Sequence, residues 1–272
     1  MANWTIDVLD CGVIRCPKEA LTAGVDVGLM VDIPYLSFLL SDGVHKVLVD
    51  CGINERFIVD GKAWGNFPAK GGVQYVVDAL EKNNTKPEDI EMVLYTHLHN
   101  DHTGACHLFK NAKHVFQYEE WRDLLDPLPS MKIRGDFDQA VIPILSKLEC
   151  VRIEGDFEIM DGLKMYKTPG HTAGSATFAV TTKKGVYFLT GDTAILRHNL
   201  FPKMSETTGI DGKKFKITPA PDNYGPAIPS SIVYNHYEWY KSIYKIQAML
   251  RSNPEFALCG HEFSIFNKRF PD

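Results

Sequence analysis

Apolar residues in the first half of the chain fall into short runs that stop at Gly, Asp or Pro. Trp4 to Leu9 alternates apolar and polar positions, whereas Tyr35 to Leu40 and Lys46 to Val49 are nearly continuous. Alternation predicts a strand with one face in solvent, and a continuous run predicts one buried on both faces. Val73, Val76, Val77 and Leu80 then recur at helical spacing behind Gly71-Gly72, which predicts a helix over 73–82. Pro87-Glu88-Asp89 marks a turn, and Glu91-Met92-Val93-Leu94-Tyr95 reads as a further buried strand. Beyond it the pattern predicts a short helix over 104–110, a strand over 114–116 and a helix over 119–125.

The second half repeats this style without repeating the sequence. Phe157 to Lys167 reads as two strands joined at Asp161-Gly162, and strands over 176–180 and 186–190 flank the Lys183-Lys184-Gly185 turn. A helix over 239–250 precedes a strand over 256–259. Strands in both halves with helices between them suggest two sheets enclosed by helical layers, an α+β sandwich. With no internal repeat, low-complexity tract or long linker, residues 1–272 read as one domain. An insertion at about 201–237 stands out, carrying Pro219, Pro221, Pro226 and Pro229 among several aromatics. Such a loop beside a site serves as a lid or as an ordered surface insertion, and both readings stay open.

Composition narrows the function. The chain has 272 residues, 44% hydrophobic and 23% charged, which is ordinary for a globular protein. A net charge of −5 supplies no broad basic field, so nucleic acid is not the expected partner. The longest apolar stretches are too short to span a bilayer, and the N-terminus lacks a signal-peptide pattern. Six scattered cysteines without Cys-x-x-Cys pairs suggest free thiols in a reducing cytoplasm. A small-molecule substrate is the expected partner.

The chemistry concentrates at Thr96-His97-Leu98-His99-Asn100-Asp101-His102-Thr103-Gly104. Four metal-capable side chains, arranged His-x-His-x-Asp-His, follow directly on the apolar run that ends at Tyr95. A buried strand that stops at such a cluster delivers its C-terminal end to a metal site; the bland alternative is a His-rich polar turn. Three further candidates each follow a Gly at a strand end: His171 after Gly170, Asp192 after Gly191 and His261 after Gly260. Taken singly, each is more often an ordinary loop. An all His/Asp donor set suits two divalent ions, zinc first, with manganese, iron or cobalt also accommodated. His45, His107, His114, His198 and His236 match no motif, although His198 and His236 are candidates to lie near the pocket. Cys106 and Cys259 read as structural thiols beside the site.

The order of these motifs resembles the dinuclear branch of the metallo-β-lactamase superfamily over most of the chain. The resemblance implies a four-layer αββα sandwich with the site at the edge between the sheets. It implies that His97, His99 and His171 bind one metal, that Asp101, His102 and His261 bind the other, and that Asp192 bridges them. Asp50, in Leu48-Val49-Asp50-Cys51-Gly52, resembles the residue that orients the metal loop from behind. The implied reaction is hydrolysis: a metal-bridging hydroxide attacks a carbonyl, and Asp101 relays the proton to the leaving group.

Segment lengths resemble N-acyl-homoserine lactonases and pyridoxolactonase-type enzymes, so a lactonase opening a small ring is the leading expectation. A glyoxalase II-like thioesterase is the alternative, suggested by Cys259-Gly260-His261-Glu262, although no room remains after His261 for that family's helical domain. RNase Z-like nucleases share the donors but fit the acidic balance poorly. Many homoserine lactonases carry a substrate-contacting Tyr three residues after the bridging Asp. Here that position is Ile195, and Tyr224 is the candidate replacement.

Overall fold

The protein, described as a computed structural model over residues 3–271, is built on two mixed β-sheets. The first contains β1 (Thr5–Pro17), β2 (Met30–Ser41), β3 (Lys46–Val49), β4 (Lys62–Ala63), β5 (Phe67–Gly71), β6 (Met92–Leu94), β7 (Lys113–Gln117) and β8 (Cys150–Ile153). Their order across the sheet is β4-β5-β1-β2-β3-β6-β7-β8. The second contains β9 (Phe157–Met160), β10 (Leu163–Lys167), β11 (Ala176–Thr182), β12 (Gly185–Gly191) and, parallel to β12, the later strand 257–259. Strands β13 (Glu206–Thr208) and β14 (Lys214–Lys216) form a separate hairpin. The last two are β15 (Ala257–Cys259), at the edge of the second sheet, and β16 (Arg269–Phe270), which pairs with β1.

Period-two alternation sorts the strand side chains between two cores. Val47, Val49 and Leu94 face the space between the sheets, where they meet Met165, Phe178, Val180 and Leu189. Their neighbours Leu48 and Val93 point the other way, onto α1 (Val73–Lys82) through Val76, Ala79 and Leu80. On the far face of the second sheet, Ala179, Phe188 and Ala257 pack against Trp239, Ile243, Ile246 and Leu250 of α7 (His236–Leu250). The sequence of layers is therefore helix, sheet, sheet, helix, the αββα sandwich expected. Between α1 and α7 lie α2 (Asn100–Thr103), α3 (Tyr118–Leu125), α4 (Pro129–Arg134), α5 (Ile142–Leu145) and α6 (Arg197–Leu200).

The elements depart from the sequence pattern in instructive places. β1 does not stop near Leu9; it continues to Pro17 through a bulge between Asp10 and Val13. Gly12 sits there at φ 120°, and a Cβ on it would lie 2.2 Å from the Lys70 carbonyl oxygen. The bulge erases the alternation that would have signalled a longer strand. The short helix expected over 104–110 is instead a turn of α-helix at 100–103 and a 3₁₀ turn at 106–108. The Gly104 and Ala105 amides donate to the carbonyls of Gly52 and Cys51, so the helix cannot propagate. α7 begins three residues before the expected position because Asn235 caps it, accepting from the Glu238 amide at 3.2 Å. The short strands β4, β5 and β8 carry too few apolar residues to show a period.

The Pro-rich segment 201–237 is stitched to residues 18–30. The Thr218 amide donates to Asp26, Ser231 Oγ to the Ala20 carbonyl, and Ile228 packs with Val25 and Ala220. Beneath this seam Lys18, fully buried, bonds Thr22 Oγ1, His198 Nδ1 and the Asp26 carboxylate, the last at 2.8 Å. Burial holds the Lys18 ammonium below its ordinary range, although Asp26 pulls the other way.

Candidate metal centre

Every candidate donor lies just past the C-terminal end of a strand. β6 leads into Thr96 and His97, β10 into the loop of His171, β12 into Asp192 and β15 into His261. Strands β3, β6, β7 and β8 run parallel, as do β12 and β15, so these ends gather along one edge of the sandwich. Close approach there needs residues without side chains. A Cβ on Gly260 would stand 2.4 Å from Asp192 Oδ1, so only glycine lets Asp192 and His261 meet.

The donors converge into three groupings, His97 with His99 and His171, His97 with His102 and Asp192, and Asp101 with His102 and His261. Within each, the ligand atoms lie within 4.8 Å of one another. His171 Nε2 is 3.1 Å from His99 Nδ1 and 3.6 Å from Asp192 Oδ2. His261 Nε2 is 3.2 Å from Asp192 Oδ1 and 3.6 Å from Asp101 Oδ2. His102 Nε2 lies 3.5 Å from Asp192 Oδ1 and 3.7 Å from Asp101 Oδ1. Two nitrogens each about 2.0–2.1 Å from a tetrahedral zinc ion stand about 3.3 Å apart, so these separations suit shared metal coordination.

The far side of each ring fixes which nitrogen faces inward. His171 Nδ1 donates to the Ile232 carbonyl and His261 Nδ1 to the Pro34 carbonyl, both at 2.8 Å. His102 Nδ1 donates to Asp50 Oδ2 at 2.8 Å. His97 Nδ1 lies 3.1 Å from Thr96 Oγ1, whose own hydroxyl donates to the same Asp50 oxygen. Nε2 of His97, His102, His171 and His261 is thereby left as a lone-pair donor toward the centre. Nε2 of His97 and His102 and Oδ1 of Asp192 are buried with no hydrogen-bond partner among the described residues. Orphaned buried polar atoms are costly, and a shared cation would satisfy them together.

Electrostatics divide the donors into two kinds. Burial, reinforced by crowding among the imidazoles, holds His97 and His99 well below the ordinary histidine range, in the neutral form a metal needs. Burial opposes charge on His102 as well, yet Asp50, Asp101 and Asp192 outweigh it and push this group up to about 10. Burial disfavours the Asp192 carboxylate, but His261 and His102 hold it well below its ordinary range.

Two supporting residues carry the geometry. Asp50, at φ 58°, turns its carboxylate back onto the loop and also accepts from the Thr96 amide at 2.8 Å. Glu120, on α3, has no counterpart among the expected site residues. It is fully buried and accepts from the amides of Leu98 and Gly174 and from Thr172 Oγ1. One carboxylate therefore ties the His97–His102 loop to the His171 loop, while burial pushes it up to about 7. In sequence Glu120 is a first-turn helix residue next to another Glu, and nothing distinguishes it from a solvated one.

Asp101, His99, His171, Asp192 and His261 open onto a cavity of about 180 Å³. Ile14, Leu21, Ile33, Phe57, Trp64 and Ile195 form much of its apolar wall, and Arg134, paired twice over with Asp136, stands at the polar side. The N-terminal stretch from Cys16 to Pro34 borders the pocket through Cys16, Leu21 and Ile33. Ile195 is thus at the cavity, but Tyr224 is not; it packs with Val25, Ala220 and Ile228 in the seam beside residues 18–30. Within 201–237, Ile232 alone lines the cavity. His198 is buried against Lys18, and His236 opens α7 at the surface. All six cysteines are free, with Cys106 and Cys259 buried. Glu262, last residue of the Cys259-Gly260-His261-Glu262 turn that suggested a thioesterase, accepts from the Arg197 and Ser264 amides and closes the loop after His261.

This fold and site define a metallo-hydrolase class, and the chain belongs to the metallo-beta-lactamase superfamily, whose profile matches residues 32–261. An N-acyl homoserine lactonase of Bacillus cereus is 26% identical over 195 residues, covering 68% of this chain and 74% of the relative. N-acyl homoserine lactonase AttM of Agrobacterium fabrum is 28% identical over 192 residues, covering 66% and 72%. Among solved structures, an N-acyl homoserine lactone hydrolase with N-hexanoyl-L-homoserine at its catalytic metal centre aligns with a TM-score of 0.73. That alignment has 20% identity and covers 96% of this chain and 94% of the other. The dizinc quorum-quenching lactonase AidC aligns at a TM-score of 0.69 with 14% identity, covering 96% and 88%. No helix among the described residues is long and apolar enough to cross a membrane.

Proposed function

We propose that the protein is a dinuclear metal-dependent lactonase that opens a small cyclic ester carrying an apolar substituent. The observation that carries this reading is the cluster of inward-facing, unpartnered donors at the floor of a cavity with an apolar wall. His97, His99 and His171 would hold one ion, Asp101, His102 and His261 the second, and Asp192 stands where it would serve both. Zinc suits this donor set, and manganese, iron or cobalt are accommodated by it. Such ions, when bound, lower the pKa of water toward about 7 and polarise a carbonyl oxygen.

The protein's own residues do the rest. Asp50, Thr96 and Glu120 fix the donor loops, so little reorganisation accompanies the reaction. The wall of Ile14, Ile33, Phe57 and Trp64 excludes water and seats the apolar part of the substrate. Asp101, with 23% of its side chain exposed and both oxygens near imidazoles, faces the cavity. It takes the proton from the attacking water and passes it to the ring oxygen as the acyl C–O bond breaks, giving a hydroxy acid. The lactonase names of the relatives support this substrate class.

The test is a panel of lactones, thioesters and phosphodiesters assayed by pH-stat with protein loaded separately with zinc, manganese or iron. Metal-dependent opening of lactones is expected. No ring opening above buffer rejects the proposal, and thiol release in its place would move the protein to the thioesterases.

A further inference from the structure

Tyr35, on β2, is 3% exposed and lines the cavity, and its hydroxyl makes no hydrogen bond with any described residue. Its ring stands edge-on to His261, with centroids 6.1 Å apart and planes at 74°. The backbone around it is pinned: the Pro34 carbonyl accepts from His261 Nδ1, and Val13 of β1 pairs with Pro34 in register. The flanking wall residues Ile14, Leu21, Ile33 and Ile195 offer no polar side-chain atom. A phenol hydroxyl with no protein partner in an otherwise apolar wall presents its polar atom to whatever fills the cavity. It stands on the Asp101–His261 side of the centre, where burial first and the Asp101 carboxylate second disfavour its ionisation.

We propose that Tyr35 is a catalytic residue whose hydroxyl donates a hydrogen bond to the ring oxygen as it leaves the acyl carbon. The inference rests on the lactonase reading, in which Asp101 delivers the proton to that same oxygen. As the acyl C–O bond breaks, its electron pair goes to the ring oxygen. Asp101 supplies the proton, and Tyr35 stays protonated throughout, stabilising the transient negative charge. After ring opening, the same hydroxyl partners the alcohol of the hydroxy acid product.

The experiment compares wild-type protein with Tyr35→Phe, which removes only the hydroxyl, keeps the ring against His261 and breaks no bond within the protein. Both are loaded with zinc and their metal content is measured. Binding of 4-hydroxydecanoate and of decanoate is followed by calorimetry, and turnover of the corresponding lactone by pH-stat. Tyr35→Phe is expected to weaken hydroxydecanoate binding about 5–10-fold, the effect of one lost hydrogen bond, and to leave decanoate within twofold. Its kcat should fall about 10–100-fold with KM nearly constant. Equal hydroxydecanoate affinity in the two proteins, or a wild-type protein that does not prefer it to decanoate, overturns the assignment. Metal loss in Tyr35→Phe overturns it too, because the hydroxyl would then be supporting the metal centre and not the leaving oxygen. A wild-type protein that binds the hydroxy acid through Tyr35 but opens no lactone would sink the functional reading and leave this contact standing.

Discussion

The two sides of the cavity are built on opposite principles. On the donor side the groups behind the inward-facing donor atoms have fixed partners: Asp50 accepts from three groups, Glu120 accepts from three, and two histidines are braced by backbone carbonyls. On the opposite wall, side chains from six separated stretches of chain, around residues 14–16, 21, 33–35, 53–64, 195 and 232, meet mainly through apolar surface. Hydrogen bonds fix direction, so the donor side tolerates little change. Apolar contact is nondirectional, so the wall can be recast without disturbing the centre. Reaction and selectivity thereby fall largely to different residues within one pocket, with Tyr35 the wall residue assigned to the reaction.

Breaking the donor side should give the largest effect. Glu120→Ala leaves the buried Leu98 and Gly174 amides without an acceptor, while Thr172 Oγ1 keeps Ser175 Oγ; at about 1–3 kcal/mol per orphaned amide, a loss of about 2–5 kcal/mol is expected. Denaturant midpoints should show that loss, and elemental analysis should show fewer ions per chain. A variant that keeps full metal content and stability would mean that the two loops hold their positions independently.

The seam between residues 18–30 and 201–232, which sets one border of the wall, should respond less. Burial opposes ionisation of Asp26, but Lys18 and Thr218 outweigh it and hold the carboxyl below its ordinary 3.8. A depressed carboxyl contributes stability that is present above its unfolded value and is lost as the pH falls through its folded one. Asp26→Asn is expected to cost about 2 kcal/mol at neutral pH, below the usual range for breaking a buried pair because Lys18 can give up its charge. Urea midpoints of wild type and variant should begin to converge as the pH falls below about 4 and meet only below the folded value of Asp26. A gap of constant size would assign the effect to the Thr218 hydrogen bond and not to charge.

The wall itself should give the smallest and most selective change. Trp64 is 37% exposed at the cavity rim. Trp64→Ala should raise KM about threefold to tenfold for lactones with long apolar substituents and leave kcat within twofold, an effect on uniform binding. An equal loss for short and long substrates would show that the wall positions the ring and not its substituent.

The candidate donors were legible because metal chemistry restricts residue types and the strand-to-turn setting restricts their place. His97, His99, Asp101, His102, His171, Asp192 and His261 all reach one centre, and Asp50 stands behind it with its carboxylate on His102 and Thr96. Glu120 was not legible, since its burial depends on which loops α3 packs against, 22 and 52 residues away in the chain. Tyr224 shows the converse: an aromatic in a Pro-rich stretch invites a role at the pocket, but the seam with Val25 takes it elsewhere. The alternation of β1 disappeared at a bulge that only pairing with β2 and β5 explains.

The sequence by itself determined the run of strands and helices and the candidate donors, because hydrophobic period and ligand chemistry are local properties. Tertiary structure alone decided the wall, the braces and the free hydroxyl of Tyr35. Burial and hydrogen-bond partnership belong to pairs of residues far apart in the chain, and no single segment carries them.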